Sequence, residues 1–369
     1  MHSEFSPSQL HRIIECPGSV QLYRELKPVN VSSPYAEEGT LLHNYMERLL
    51  KKEMQLTEIM DPEHRALCKT AYEYVMAQAD GDEVAIYSEV HAKINDLPQV
   101  FGTSDVVMVN PKREAVHIMD FKFGGNIPVS CQDNPQFYAY AIGAIDTLHL
   151  DTTWTIWVHV VQPRRENFQA HMVSWNKLQE WKETVLRPAI LNAESEDPRF
   201  HPSEDGCRWC LCKAMCQVCH QVAQEAAQEV FSAYSLAQNK AAITKDELAR
   251  FYKASAELKS YIKSVEEYVL TELMAGRKIP GYKMVYGRAT RKWKDEVLAA
   301  RYITDHYDAD PEDLYETKFK SPAQIEKIFK EVKKDKEFAD LITVPQGSPK
   351  IVEDEVEAPE TNPFSSVMD

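Results

Sequence analysis

The chain has 369 residues, 44% hydrophobic and 27% charged, a length that suits about two or three domains with a sizeable core. No run of about 18 or more apolar residues occurs, which excludes a membrane-spanning helix. The opening MHSEFSPSQL lacks the basic-then-apolar order of a secretory signal, so a cytoplasmic protein is expected. A net charge of −15 argues against a simple nucleic-acid coat, although part of the acidity sits in the final IVEDEVEAPETNPFSSVMD.

Taken in chain order, Ser6 or Ser8 can cap a first helix over PSQLHRIIEC, and Gly39 precedes a second, TLLHNYMERLL, whose Leu42, Tyr45, Met46, Leu49 and Leu50 recur at helical spacing. A third helix is expected over 62–79. The pattern then turns to strand in EVAIYSEVHAKI, TSDVVMVN and AVHIMDFKF, with NPKRE as a hairpin turn. A helix over 134–145, a strand in TTWTIWVHVVQ and a helix in WNKLQEWKETVLRPAILNAE follow. This order predicts an α/β domain with a mixed sheet. Beyond a cysteine-rich stretch the chain reads as mostly helical: Thr244 and Glu247 form a capping box ahead of a long amphipathic face, and SPAQIEKIFKEV is a short capped helix. Alternation with Gly and Pro over 276–295 predicts a small basic β-hairpin, and the acidic composition of 344–369 predicts a disordered tail. The expected domains are therefore 1–222, 223–343 and the tail.

Two aspartates interrupt apolar strands. Asp is depleted in strands, and a buried carboxylate is costly unless it is paired or binds a metal. Asp105 and Asp120 are expected to meet across the hairpin, and Lys122 shares a face with Asp120 because side chains repeat every two residues. Oxygen ligands suit Mg²⁺ or Mn²⁺, and a nearby ammonium can orient a nucleophile or stabilise developing charge. The same residues also fit plain strand-end aspartates with a solvated lysine. His43 lies in the second helix, Glu89 on the strand before the hairpin, and Gln136 and Tyr140 share one helical face at i, i+4.

In order, Gly39 with His43, Gly102 with Asp105, Asp120 with Lys122, and Gln136 with Tyr140 read G-x-x-x-H, G-x-x-D, D-x-K and Q-x-x-x-Y. This series resembles the RecB-like branch of the PD-(D/E)xK nucleases over roughly the first 220 residues. The phrases SPSQLHRIIECPGS, EEGTLLH, NPQFYAYAIGA, IPGYKMVYGRATRKW and KSPAQIEKIF are similar to a phage and prophage family of that branch. The resemblance implies a restriction-endonuclease-like α/β core carrying a mostly helical C-terminal extension, and a Mg²⁺- or Mn²⁺-dependent deoxyribonuclease, an exonuclease in phage DNA replication, recombination or repair. It implies metal ligation by His43, Asp105 and Asp120, Lys122 acting on water, Gln136 and Tyr140 positioning DNA or the lysine, and Glu89 as a further member by approximate position. The rival expectation is a DNA-binding or assembly protein on the same fold without turnover.

Five of the eight cysteines fall in CRWCLCKAMCQVC, a clustering that reads as metal binding. Cys207, Cys210, Cys216 and Cys219 have spacing for structural Zn²⁺; alternatively Cys207, Cys210 and Cys216 join Cys16 around an iron–sulfur cluster. Spacing does not decide between them. The resemblance implies the second, because CRISPR-associated and AddB-type relatives use an early cysteine with a late C-x2-C-x5-C for a [4Fe-4S] cluster. For DNA, single-stranded or at duplex ends, the expected basic contacts are Arg288, Arg291 and Lys292, with Trp293 stacking on bases, and Arg164 and Arg165 at a strand end. The acidic tail, with Phe364, is a possible hook for phage replication or recombination proteins.

Overall fold

The computed structural model describes residues 3–30, 34–125, 127–237, 244–287, 291–294, 296–307, 309, 314, 321–343 and 349–353. The chain divides into two units, Met1–Val265 and Glu266–Asp369. The first begins with helices α1 (Leu10–Glu15), α2 (Ser19–Leu26), α3 (Pro34–Leu50) and α4 (Pro62–Ala77). Strands β1 (Ala85–Lys93), β2 (Phe101–Asn110) and β3 (Ala115–Phe121) follow, then α5 (Pro135–Leu148), β4 (Thr155–Gln162) and β5 (Asn167–Val173). After these come α6 (Trp175–Trp181), a π turn at Lys182–Leu186, α7 (Arg187–Ala193), α8 (Glu204–Arg208) and α9 (Gln217–Ala237). Helix α10 (Lys245–Met274) carries the chain from one unit into the next.

The five strands form one sheet in the order β1-β2-β3-β4-β5. Every neighbouring pair is antiparallel except β3 and β4, which are parallel. A parallel pair needs a crossover, and α5 supplies it. The sheet is covered on both faces, so β3 is buried along its whole length. Val116 and Ile118 of β3, with Val107, Val109, Val158 and Val160, pack with α1, α5 and the α6–α7 segment. Met119 and Phe121, with Val106, Met108 and Val161, pack with Leu42, Met46 and Leu49 of α3 and Cys68, Ala71 and Val75 of α4. The expected α/β architecture with a mixed sheet is therefore present, with a C-terminal part that is largely helical.

Helix α5 begins cleanly because the Asn134 side chain accepts from Gln136 N and Pro135 occupies the first turn. It lies close on β1 because Gly143 has no side chain: a Cβ there would meet the Ala92 carbonyl carbon and the Lys93 nitrogen at 2.9 Å. Strand β5 was not expected. NFQAHMV does alternate, with Phe168, Ala170 and Met172 between polar residues, but as a sheet edge it buries only Val173.

Two expectations for the later chain are corrected. The sequence suggests a boundary at 222, but α9 runs through that point. Lys213 Nζ donates to Ser260 Oγ at 2.7 Å and Tyr261 Oη to the Ala214 carbonyl at 3.1 Å, tying the helical stretch to the cysteine region. Among the described residues of 276–295, the two strands do not pair with each other. In the second unit, β6 (Tyr282–Tyr286) pairs with β9 (Pro349–Glu353), and β7 (Lys292–Trp293) pairs with β8 (Ile342–Thr343). Strand β9 also falls in the segment expected to be disordered; the rest of 344–369 lies outside the described residues. Helices α11 (Glu296–Tyr307), α12 (Pro322–Ile328) and α13 (Lys336–Asp340) complete this unit around Trp293, Ile303, Ile325, Val332 and Phe338. No helix among the described residues is long and apolar enough to cross a membrane.

One buried polar chain crosses the α4 face of the sheet. Tyr74 Oη lies 3.0 Å from His159 Nδ1, and His159 Nε2 lies 3.0 Å from His117 Nδ1. Burial pushes His159 down to about 3 and His117 down to about 4, with the neighbouring His117 and Arg113 charges respectively adding to the effect. Both rings are thus neutral in the folded protein at pH 6.5, where the unfolded chain starts to take up protons. Stability contributed by keeping them neutral is complete above that pH and declines as pH falls toward 4, by at most about 2 kcal/mol per ring between pH 7 and pH 5. Urea unfolding of His159→Gln beside the wild type tests this: the variant is less stable at pH 7, and the gap narrows at pH 5.

Candidate active site

Three carboxylates form a transverse row across the sheet. Strand β1 pairs with β2 through Ser88↔Val106 and Val90↔Ser104, which places Glu89 opposite Asp105. Strand β2 pairs with β3 from Val106↔Met119 onward, and one further step of that register sets Asp105 opposite Asp120. Like charges directly opposite each other destabilise a sheet, so this row needs compensation.

The strands are irregular at this row. Ile86 packs on the α3–α4 side whereas Val90 and Ala92, of the same parity, pack on the α5 side. On β2, Val106 and Met108 face α3 and α4, yet Gly102 faces α5: a Cβ there would meet Pro7 Cδ at 2.7 Å and Tyr140 Cε1 at 3.4 Å. The side-chain alternation therefore reverses in both strands at Glu89 and Asp105. Glu89 carries the reversal in its backbone, with φ at 54°, a left-handed conformation that costs a non-glycine residue about 1–2 kcal/mol.

Helix α3 brings His43 to the row. Its neighbours Leu42 and Met46 are fully buried and fix the helix, while the His43 ring rests edge-on against Phe123 at 5.4 Å and Phe121 at 6.1 Å. His43 Nδ1 lies 3.3 Å from Asp105 Oδ1. One ligand atom each from His43, Glu89 and Asp105 falls within 4.8 Å of the others, close enough to share a metal ion. Asp105 is steadied by its second oxygen, which accepts from Phe121 N at 2.7 Å.

Asp120 stands beside this trio and outside it. It is 3% exposed; Gln136 Nε2 donates to its Oδ1 at 3.1 Å, and Lys122 Nζ lies 2.5 Å from Oδ2. The ammonium approaches off the bonding direction, so Oδ2 is left without a well-directed hydrogen bond. Tyr140, one helical turn after Gln136, is buried below the same carboxylate. Sequence reading thus named all seven of these residues, and they converge on one end of the sheet. The trio within reach of a single ion contains Glu89, however, where Asp120 was expected.

The electrostatics have one direction. Burial lowers His43, but the Asp105 hydrogen bond and the Asp105 and Asp120 charges outweigh it and leave the imidazole raised. Glu89 is exposed as a residue, but partial burial of its carboxyl, with the Asp105 and Glu47 charges, pushes it up to about 7. Burial raises Asp120, with Asp105 adding, against the pull of Lys122. Lys122 is lowered by burial and raised more strongly by Asp120 and Asp105. Tyr140 is raised, first by burial and then by Asp120. His43, Glu89, Asp120, Lys122 and Tyr140 each hold a proton more tightly than usual: burial leads at Glu89, Asp120 and Tyr140, and neighbouring carboxylates outweigh burial at His43 and Lys122. Protons here occupy the electrostatic role a divalent cation would take, and an imidazole with carboxylate oxygens is a donor set that accepts Mn²⁺ or Mg²⁺.

All eight cysteines are free thiols. Cys16, Cys207, Cys210, Cys216 and Cys219 line one small cavity, whereas Cys212 is buried away from it and pushed up to about 12 by that burial. Among the described residues no three of their sulfurs come within the reach of one ion, so the Zn²⁺ arrangement is not assembled. Cys207 and Cys219 are 3.8 Å apart at sulfur. Sharing of a thiol proton with Cys219 lowers Cys207 and Cys216, with burial opposing, and raises Cys219.

Of the basic residues expected at DNA, Arg164, Arg165 and Arg291 have protein partners. Arg164 bridges Glu38 at 2.5 Å and Glu63 at 2.7 Å, and Arg165 donates to the Gly125 carbonyl at 2.7 Å. Arg291 pairs with Glu326. Trp293 is 8% exposed and packs edge-on against Phe338 at 5.3 Å, so it is a core residue and has no face for a base. Lys292 is placed in β7, and Arg288 lies outside the described residues. Sequence composition could not separate these because the acidic partners and Phe338 are distant along the chain.

Metal binding at the trio has a direct measure. Saturating Mn²⁺ is expected to raise the thermal unfolding midpoint of the wild type by about 5 °C, the effect of a ligand near a hundred times its Kd on a unit of this size. Glu89→Gln and Asp105→Asn lose that shift, while Gln136→Ala keeps most of it.

Residues 2–359 match the family described as "Protein of unknown function (DUF2800)". Among solved structures, the "Crystal structure of SSO0001" is similar at 17% identity, over 55% of this chain and 82% of that one, with a TM-score of 0.29. A superposition that low carries no argument about fold or activity. On the match over nearly its whole length, this chain belongs to the DUF2800 family.

Proposed function

We propose that the protein is a Mg²⁺- or Mn²⁺-dependent deoxyribonuclease, an exonuclease of the PD-(D/E)xK superfamily and its RecB-like branch, acting in phage DNA replication, recombination or repair. The observation that carries the reading is the convergence of His43, Glu89 and Asp105 within one ion's reach, beside an Asp120–Lys122 pair on the next strand. A cation held by His43, Glu89 and Asp105 would supply Lewis-acid polarisation of a phosphoryl oxygen.

The chain's own residues do the rest. Lys122, whose pKa is raised, presents an ammonium: it suits orienting a nucleophile and neutralising charge that develops on phosphate, and it is not a free base at neutral pH. Gln136 holds Asp120 against Lys122 and so fixes where the ammonium points. Tyr140, kept protonated, offers a hydroxyl donor on the same side. Asp120 orients Lys122 in this arrangement and lies next to the ion position.

A [4Fe-4S] cluster on Cys16, Cys207, Cys210 and Cys216 belongs to the same reading. The support is that these four thiols line one cavity although Cys16 is remote in sequence. Such a cluster would join the start of the first unit to its end, a structural role. The partner proposed for the site is DNA, in a cytoplasmic setting, and the acidic tail is proposed to engage other replication or recombination proteins.

Anaerobically purified protein on end-labelled single- and double-stranded DNA with Mn²⁺ tests the activity. The wild type is expected to degrade DNA from ends, with Asp120→Ala and Lys122→Ala reduced by about 10²-fold or more at unchanged fold. Tight DNA binding without cutting in either metal would instead establish a non-catalytic binding protein. The same preparation is expected to be brown with absorbance near ~400 nm, lost in Cys16→Ser; a colourless wild type overturns the cluster.

A further inference from the structure

We propose that Cys207 and Cys219 form a redox-active dithiol that closes into a disulfide by exchange with a small soluble disulfide. Cys207 lies in α8, Cys219 lies in the first turn of α9, and their sulfurs are in contact at 3.8 Å. Both also line a second, larger cavity of about 350 Å³ between that corner and α10, so a reagent has a route to the pair. A disulfide would close this sulfur separation from 3.8 Å to about 2.05 Å.

The cavity wall suits a zwitterionic disulfide such as oxidised glutathione. Lys213, held at 2.7 Å by Ser260, offers a cation for carboxylates, and Glu257 offers an anion for an ammonium group. The chemistry balances with that reagent alone. The Cys207 thiolate attacks one sulfur of the small disulfide, forming a mixed disulfide and releasing one small thiolate. The Cys219 thiolate then attacks the Cys207 sulfur, forming the Cys207–Cys219 bond and releasing the second. The protein's dithiol is oxidised by two electrons, the small disulfide is reduced to two thiols, and the two protein protons pass to the leaving groups.

The consequence rests on the cluster proposal: Cys207 is in that set of four and Cys219 is not, so closure removes a ligand and opposes loading. The closure itself needs no cluster.

The test is a thiol map of the full-length protein after incubation with oxidised glutathione, using alkylation and non-reducing peptide mass spectrometry with fragmentation. The expected result is a fall from eight alkylatable thiols to six and a Cys207–Cys219 cross-link, absent in Cys219→Ser and retained in Cys68→Ser. A Cys216–Cys219 link, another pairing, a persistent glutathione adduct on Cys207, or eight thiols still open would overturn the proposal. The wild-type map stands even if a variant folds poorly. Absorbance near ~400 nm, followed in parallel, reports separately on the cluster: a cross-link in colourless protein upholds the dithiol and removes only its consequence.

Discussion

The carboxylate row across β1, β2 and β3 is the constraint around which the first unit is arranged. Three like charges in register oppose strand pairing, and the ladder is interrupted where they stand. Each is then met from a different element. His43 of α3 reaches Asp105, the Phe121 amide of β3 steadies the same carboxylate, and Gln136 of α5 and Lys122 beyond β3 hold Asp120. Helices from both faces of the sheet thus converge on one end of it. The left-handed Glu89 backbone is tolerated because it turns the third carboxylate to the same place.

Helix α5 shows how packing serves this arrangement. Its N-terminus is fixed by Asn134 and Pro135, its middle is pressed on β1 through Gly143, and between those anchors Gln136 and Tyr140 occupy the first two turns. The backbone that carries both residues is thereby fixed relative to Asp120, which accepts from Gln136. A side chain whose helix is anchored at two points is pre-organised, which is the condition for electrostatic stabilisation of a reacting group.

How much of this was legible in the sequence depended on periodicity. Asp105, Asp120 and Lys122 stood out because a strand's period of two makes a carboxylate in an apolar run conspicuous. His43 and Gln136 became meaningful only as part of an ordered series of motifs. Glu89 was placed by position alone, and alternation argues against it: extended from Ile86, the pattern does not predict the reversal that occurs at Glu89 itself. Strand β5 was missed although Phe168, Ala170 and Met172 alternate with polar residues: the run is short and, at a sheet edge, only Val173 is buried. Trp293 misled in the opposite way, since a tryptophan among basic residues reads equally well as a stacking platform or as a core residue. Its burial against Phe338 is a tertiary fact. The ion pairs of Arg164 were illegible for the same reason, for Glu38 and Glu63 lie on the N-terminal helical layer, far from it in sequence.

The cysteine corner is closed by the polypeptide before any metal is considered. Gly18 N donates to the Arg199 carbonyl at 2.9 Å, His201 N to Cys16 Sγ at 3.4 Å and Leu211 N to Tyr23 Oη at 2.9 Å, so the segment after α1 and the α8 region are joined by ordinary hydrogen bonds. Tyr23 in turn lies under the Arg12 guanidinium at 3.9 Å. A cluster bound there would reinforce a closure that already exists, unlike a zinc finger, whose fold depends on its ion. For the same reason the thiols can meet one another in a metal-free protein. A corner held together by these hydrogen bonds keeps Cys207 and Cys219 in contact, so that on the proposed reading their joining competes with ligation.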